Sequence, residues 1–239
     1  AISTGLSTAK TEDGDVVISA STAVTVAQFN LLDAATSSAI VLSAGISDTA
    51  ANLASSGTAS SGLTNSTTQD GDVAITITGT APTVAELNKI ASLTTGAVTA
   101  SISGNKTTLA GLNTASGDAI TATVTDAVTV AEFNTLDGKT SVGVILTGGV
   151  SDAAAAYAAT NGTATSGRTA IAAQDGDAAL TVTDAATVAQ ANSVATATTG
   201  TVVYSGGITD STANLMNGDS SAISTGLSTA KTEDGDVVI

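Results

Sequence analysis

The sequence predicts a repeat solenoid of about eight right-handed coils, each one parallel β-strand followed by one short helix, with a pure parallel β-helix as the alternative. Three observations predict it. A tight turn, Asp13-Gly14-Asp15, returns at Asp70-Gly71-Asp72, Ser116-Gly117-Asp118, Asp175-Gly176-Asp177 and Asp234-Gly235-Asp236, at spacings of 57, 46, 59 and 59 residues. A Thr-x-x-Glu/Gln helix start follows each of the first four turns. Each unit then divides in two, giving about 28 residues per coil, the scale of leucine-rich repeats. The repeat units run 13–69, 70–115, 116–174 and 175–233 within one continuous domain over 1–239.

The first coil of each unit carries a β-branched run such as Val16-Val17-Ile18, Val73–Thr78 or Leu180–Thr183. The helix starts come next, at Thr25, Thr83, Thr129 and Thr187, with Gln28, Glu86, Glu132 and Gln190 three residues on. There the Thr hydroxyl caps the N3 amide and the Glu or Gln returns to the Thr amide. The second coils carry the strands Ala39–Leu42, Ala97–Ile102, Gly143–Leu146 and Thr201–Tyr204. Ser47-Asp48, Ser151-Asp152 and Thr209-Asp210 offer N-caps to the helices that follow three of them, and Lys106-Thr107-Thr108 follows the fourth.

An Asn recurs late in the helical segment, at Asn30, Asn52, Asn88, Asn113, Asn134, Asn192 and Asn214. Stacked coils would bring these amides into a ladder in which buried polar groups find partners. Ala27, Ala51, Ala85, Ala110, Ala131, Ala189 and Ala213 occupy places where helix and sheet would approach closely, with Phe29, Leu87, Leu112 and Phe133 filling the remaining space. The Ser/Thr/Ala/Gly-rich runs 54–68, 160–174 and 217–233 read as insertions between units, either loops or short extra coil segments. Strand, helix and parallel strand should connect right-handedly.

The strongest repeat is an identity: residues 222–239 reproduce residues 1–18, AISTGLSTAKTEDGDVVI, at an offset of 221. It implies tandem near-identical copies of about 221 residues, this chain being one period plus an overlap. A strand spacing of about 4.8 Å per coil would make that period about 38 Å long. With no initiator Met at residue 1, the segment reads as internal to a longer protein. Open strand edges would then be covered by the next copy.

Composition sets the exclusions. Aromatic residues are 2% and charged residues 11%, with no His, Cys or Trp and a net charge of −15. Few large side chains means a thin core, because burial scales with apolar area. The six Lys and Arg residues are scattered, which argues against nucleic acid and anionic membranes. No apolar run approaches the roughly 18 residues of a spanning helix. Without His and Cys, the commonest bases, thiol nucleophiles and zinc ligands are missing, and the carboxylates recur in every unit as structural groups would. No catalytic residue and no cofactor site is assigned.

Two chemistries stay open. Asp13, Asp15, Asp70, Asp72, Asp175 and Asp177 gather hard oxygens suited to Ca²⁺, against a simple turn role in which Asp bonds its own backbone. Strand hydroxyls such as Ser19, Ser21, Thr76, Thr78, Thr121, Thr123, Thr181 and Thr183 form an array suited to ice or to glycans, against plain β-propensity. Asn65, Asn105 and Asn161 sit in glycosylation sequons.

The phrases TVAQFNLLDAATSS, TVAELNKIASLTTGAVTASIS, TVAEFNTLDGKTSVGVIL and GISDTAANLA resemble the repeat arrays of giant secreted bacterial cell-surface proteins of cyanobacterial type. The resemblance implies export, often by a type I system, and a place at the cell surface or in the extracellular matrix. The calcium nonapeptide of the related RTX class is absent; Gly148–Asp152 and Gly206–Asp210 only echo it. The expected role is therefore a structural subunit of an extracellular filament or surface fibre, partnered by further copies of itself. The stalk of a large adhesin is the second reading.

Overall fold

The computed structural model describes residues 16–217 and 221–234. It divides into two units. The first comprises Ala1–Ile102, Gly111–Thr121 and Lys139–Val142; the second comprises Ser103–Ala110, Ala122–Gly138 and Gly143–Ile239.

In the first unit, strand β1 (Ile18–Ser19) pairs in parallel with β2 (Ile40–Val41), Ile18 opposite Ile40. Helix α1 (Val26–Asp33) lies between them in sequence. Strand β3 (Ile46–Thr49) runs directly into the single-turn helix α2 (Ala50–Leu53). A short antiparallel ribbon follows, β4 (Ala54–Ser55) with β5 (Thr58–Ala59), and then helix α3 (Ser61–Gln69). Strand β6 (Ile75–Thr78) pairs in parallel with β3. After helix α4 (Val84–Ala91), β7 (Val98–Gly104) pairs with β6 at Ile75–Val98. Phe29, Leu53, Leu63, Ile75, Leu87, Ile90 and Val98 are fully buried and form the core.

The second unit opens on helix α5 (Lys106–Leu109). Strand β8 (Ala119–Val124), of which residues 122–124 lie in this unit, pairs through those residues in parallel with β9 (Val144–Leu146) across helix α6 (Val130–Asp137). Strand β10 (Val150–Asp152) is followed by helices α7 (Ala154–Tyr157) and α8 (Ser166–Gln174). Strand β11 (Leu180–Val182), helix α9 (Val188–Ala195) and strand β12 (Val202–Tyr204) complete a parallel ladder in the order β10-β11-β12. Helices α10 (Thr212–Leu215) and α11 (Thr225–Asp234) follow. The core here is Phe133, Tyr157, Ile171, Val182, Ala191, Val194, Val202 and Tyr204.

This corrects the solenoid, and the pure β-helix with it. The fold is mixed α/β, with eleven helices among the described residues and several short parallel and antiparallel sheets. It has no single strand per coil. The cause lies in the three runs read as insertions. Each contains a helix: α3, α8 and α11. Their Ser and Thr residues conceal them, because these side chains are weak helix formers with no apolar periodicity. In place the hydroxyls bond back to carbonyls of the preceding turn, as Ser66 and Thr67 do to Leu63 (2.8 and 3.0 Å) and Thr68 to Thr64 (2.7 Å). Strands also come in closely spaced pairs, β2 with β3 and β9 with β10, so strand and helix do not alternate one for one.

The alanine positions are corrected too. Ala27, Ala51, Ala85, Ala110, Ala131 and Ala213 are exposed and Ala189 is half-buried. In the four eight-residue helices this is the second helical position, which faces away from the core. The residues at the fourth position, Phe29, Leu87, Phe133 and Ala191, are buried instead.

Close approach of backbones leaves no room for a side chain at Gly148, where a Cβ would stand 2.2 Å from the carbonyl carbon of Asp126. Backbone cannot rotate aside as a side chain can. Gly148→Ala is therefore expected to lower stability by about 1–3 kcal/mol, the usual cost of overpacking. Urea unfolding followed by circular dichroism checks this, and an unchanged midpoint would contradict it.

Candidate functional site

The recurrent chemistry of the molecule is the carboxylate, and its partners are backbone amides far away in sequence. The helix starts show how this is built. At Thr25, Thr83, Thr129 and Thr187 both arms of the capping box form. Thr83 Oγ1 accepts from Glu86 N (3.2 Å), and Glu86 Oε2 accepts from Thr83 N (2.9 Å). These arms satisfy two of the orphan amides of the first turn and leave N1 open.

Aspartates fill that gap. Val26 N donates to Asp48 Oδ2 (3.0 Å), Val130 N to Asp152 Oδ2 (3.0 Å) and Val188 N to Asp210 Oδ2 (3.1 Å), each 22 residues ahead. The second oxygen of each carboxylate accepts from the next amide in its own strand-to-helix junction, at 2.8 Å from Thr49, Ala153 and Ser211. Lys106 N is held in the same way by Asp126 and Ala154 N by Asp184, both at 2.6 Å. A carboxylate at a helix N-terminus gains from the macrodipole as well as from the charge-assisted hydrogen bonds. Asp48, Asp152 and Asp210 thus staple the second half of a repeat to its first half, and Asp126 and Asp184 staple one repeat back to the one before.

This also corrects the cap assignments. Asp48, Asp152 and Asp210 serve the preceding helices. The N-cap of α2 is Thr49, whose hydroxyl accepts from Asn52 N, and that of α5 is Asn105, which accepts from Thr108 N (2.8 Å).

The Asp-Gly-Asp turns supply a second set. Asp70 Oδ2 accepts from Leu42 N (2.8 Å), Asp175 Oδ2 from Leu146 N, and Asp234 Oδ2 from Tyr204 N (2.7 Å). At the third turn Asp118 performs the service, Oδ1 accepting from Val98 N and Oδ2 from Ala115 N, both at 2.8 Å. Asp72 and Asp177 are exposed, and Asp13 and Asp15 lie outside the described residues. Among the described residues no group of three or more acidic side chains is placed to hold a metal ion.

The Asn residues divide into three kinds of setting. Asn52 and Asn214 donate to the stapling carboxylates Asp48 and Asp210 (both 2.7 Å). Asn88 donates to Gly111 O (2.8 Å) and accepts from Asn113 N (2.7 Å). Asn30, Asn134 and Asn192 flank Gly62, Gly167 and Gly226, where α3, α8 and α11 pass closest.

Hydroxyls line the outer strand faces in register, Ser47 beside Thr76 beside Thr99, and Ser151 beside Thr181. Exposed Val203 continues the second row beside Thr181, and exposed Val41 and Ile145 stand opposite Ser19 and Thr123, so apolar groups interrupt the hydroxyls. Of the sequon residues, Asn65 is exposed on α3, Asn105 caps α5, and Asn161 accepts from Thr163 N (3.0 Å) in a turn. Among the described residues no helix is long and apolar enough to cross a membrane.

Several carboxyls are shifted by these contacts. Glu86 and Glu132 are held below the ordinary 4.5, first by the amides of Thr83 and Thr129. Asp210 is held below 3.8, first by the Asn214 amide. Asp175 moves the other way, raised by burial and then by the neighbouring Asp177. The first three groups contribute stability that is complete above their unfolded values and lost as pH falls through the folded ones; Asp175 contributes stability that is lost as pH rises. Acidification below about pH 4.5 is expected to remove the contributions of Glu86, Glu132 and Asp210 and so lower the melting temperature, with Asp175 opposing the fall. Asp210→Asn should flatten part of that fall. A flat profile from pH 6 to 3 would contradict the assignment.

Comparison of the chain with protein-family models, with curated proteins and with solved structures found no match.

Proposed function

We propose that the chain is a non-catalytic structural module of an extracellular tandem-repeat protein, serving in a filament or surface fibre made of further copies of the same sequence. The observation that carries this reading is the identity of residues 222–239 with residues 1–18. The second copy of that stretch is integrated into the fold: α11 buries Leu227 and Ala230, and Asp234 holds the amide of Tyr204. A sequence that restarts while still packed against its own predecessor is suited to continuing without a stop. The use of acidic residues supports the same reading, since they are engaged as staples within repeats and, at Asp70, Asp126, Asp175, Asp184 and Asp234, between successive ones. The resemblance to secreted bacterial surface arrays supplies the extracellular placement.

Electron microscopy of the protein purified from its native source tests this. Filaments with one fixed axial repeat are the expected result. Discrete particles with no regular spacing would overturn it.

A further inference from the structure

Three helices of the chain dock in one manner. Gly62 of α3 passes against Val26 and Asn30, Gly167 of α8 against Val130 and Asn134, and Gly226 of α11 against Val188 and Asn192. Each ends in an Asp that holds an amide at the end of a strand or just past it: Asp70 on Leu42, Asp175 on Leu146, Asp234 on Tyr204. Five residues after that Asp, α3 and α8 lead into a strand residue, Ile75 or Leu180, which pairs with Ile46 or Val150. Ile46 and Val150 are themselves bridged on their other side to Val24 and Val128, and Ile208 is bridged to Ala186 in the same way.

The N-terminal copy has every part needed for this docking. Gly5 and Leu6 correspond to Gly226 and Leu227, Asp13 to Asp234, and Ile18 stands five residues after Asp13. Resting on the tandem-copy reading above, we propose that the surface made by α9, β12 and Ile208 is a head-to-tail acceptor for a second copy of this chain. Residues 3–18 of that copy occupy it, with Leu6 in the place of Leu227, Asp13 on the amide of Tyr204 and Ile18 beside Ile208. In the single chain, residues 222–234 hold the same surface closed. A segment tethered by a short linker acts at an effective concentration of order millimolar, so the closed form prevails at micromolar protein.

The test removes the tethered occupant and leaves the donor. Leu227→Asp in the full chain is expected to convert a monomer into open-ended oligomers that grow with concentration, read by size exclusion with light scattering. Adding Leu6→Asp should return the monomer, and so should a synthetic peptide of sequence Ala222–Ile239. A Leu227→Asp variant that keeps its circular dichroism yet stays monomeric overturns the proposal, as do oligomers that persist with Leu6→Asp. If Leu227→Asp unfolds, fluorescent peptide exchange into the unaltered chain decides, with the peptide raised above the roughly millimolar effective concentration of the tethered segment: one-to-one incorporation, absent for the Leu6→Asp peptide, supports it, and no incorporation at that concentration overturns it. Native filaments seen without this exchange would sink the docking mode alone. Exchange without native filaments would sink the fibre role alone.

Discussion

Phe133→Ala is expected to lower the unfolding free energy by about 3–5 kcal/mol, the cost of emptying a large buried side chain, out of a total of order 5–15 kcal/mol. The chain has two Phe residues, and both are fully buried at the fourth position of a capping-box helix. Apart from Tyr157 and Tyr204, the buried hydrophobic side chains around Phe133 in its unit are Val, Ala, Ile and Leu, too short to fill a phenyl-sized space. The fourth capping-box helix shows how the fold itself handles a small residue at this position. Ala191 stands where Phe29 and Phe133 stand, and the corresponding strand ends in Tyr204 rather than in Leu146. Tyr204 is buried, and its hydroxyl donates to Ala191 O (2.7 Å). Large helix residue with Leu and small helix residue with Tyr are thus two solutions to one volume. Leu146→Tyr in the Phe133→Ala background is expected to recover part of the loss. Urea unfolding of the two single variants and the double variant measures the coupling. A double variant no more stable than Phe133→Ala would sink the compensation argument.

The helix starts were legible because a capping box is a local device, written within four residues. Strands whose runs carry their own β-propensity, such as Val144-Ile145-Leu146, lie within a residue or two of where they are expected, whereas β3, β4, β5 and β10 were not read as strands. What the sequence concealed was everything that depends on a distant partner. Helix α3 reads as a polar loop until Gln69 is seen donating to Asp33 (2.8 Å) and Leu63 is seen fully buried. Helix α8 repeats the device with Gln174 on Asp137 (2.7 Å). One strand and one helix per coil requires those runs to be insertions without a helix, and their folding as helices undoes it. The stapling aspartates left one clue unread: Asp48, Asp152 and Asp210 each stand 22 residues after the Val that opens a helix, a constancy that a purely local cap would not need.

Asp118→Ala is expected to cost about 2–3 kcal/mol. Its carboxylate is buried and accepts two backbone amides, and the donor on Val98 is fully buried, so truncation leaves a desolvated N–H without a partner. Asp118→Asn keeps the shape and one acceptor oxygen but turns an NH₂ toward the other amide, so it should recover less than half of the loss. Asp72→Ala, at an exposed position of the preceding turn, should change stability by no more than about 0.5 kcal/mol. The contrast separates the two roles open to the Asp-Gly-Asp turns. Carboxylates acting as amide acceptors give the same ranking with calcium or with a chelator present. Carboxylates acting as calcium ligands lose their ranking in chelator, because the metal-free protein would already lack what the substitution removes. Melting curves of the three variants in both buffers distinguish these outcomes. Equal losses for Asp72→Ala and Asp118→Ala, appearing only with calcium, would transfer the aspartates from the backbone to the metal.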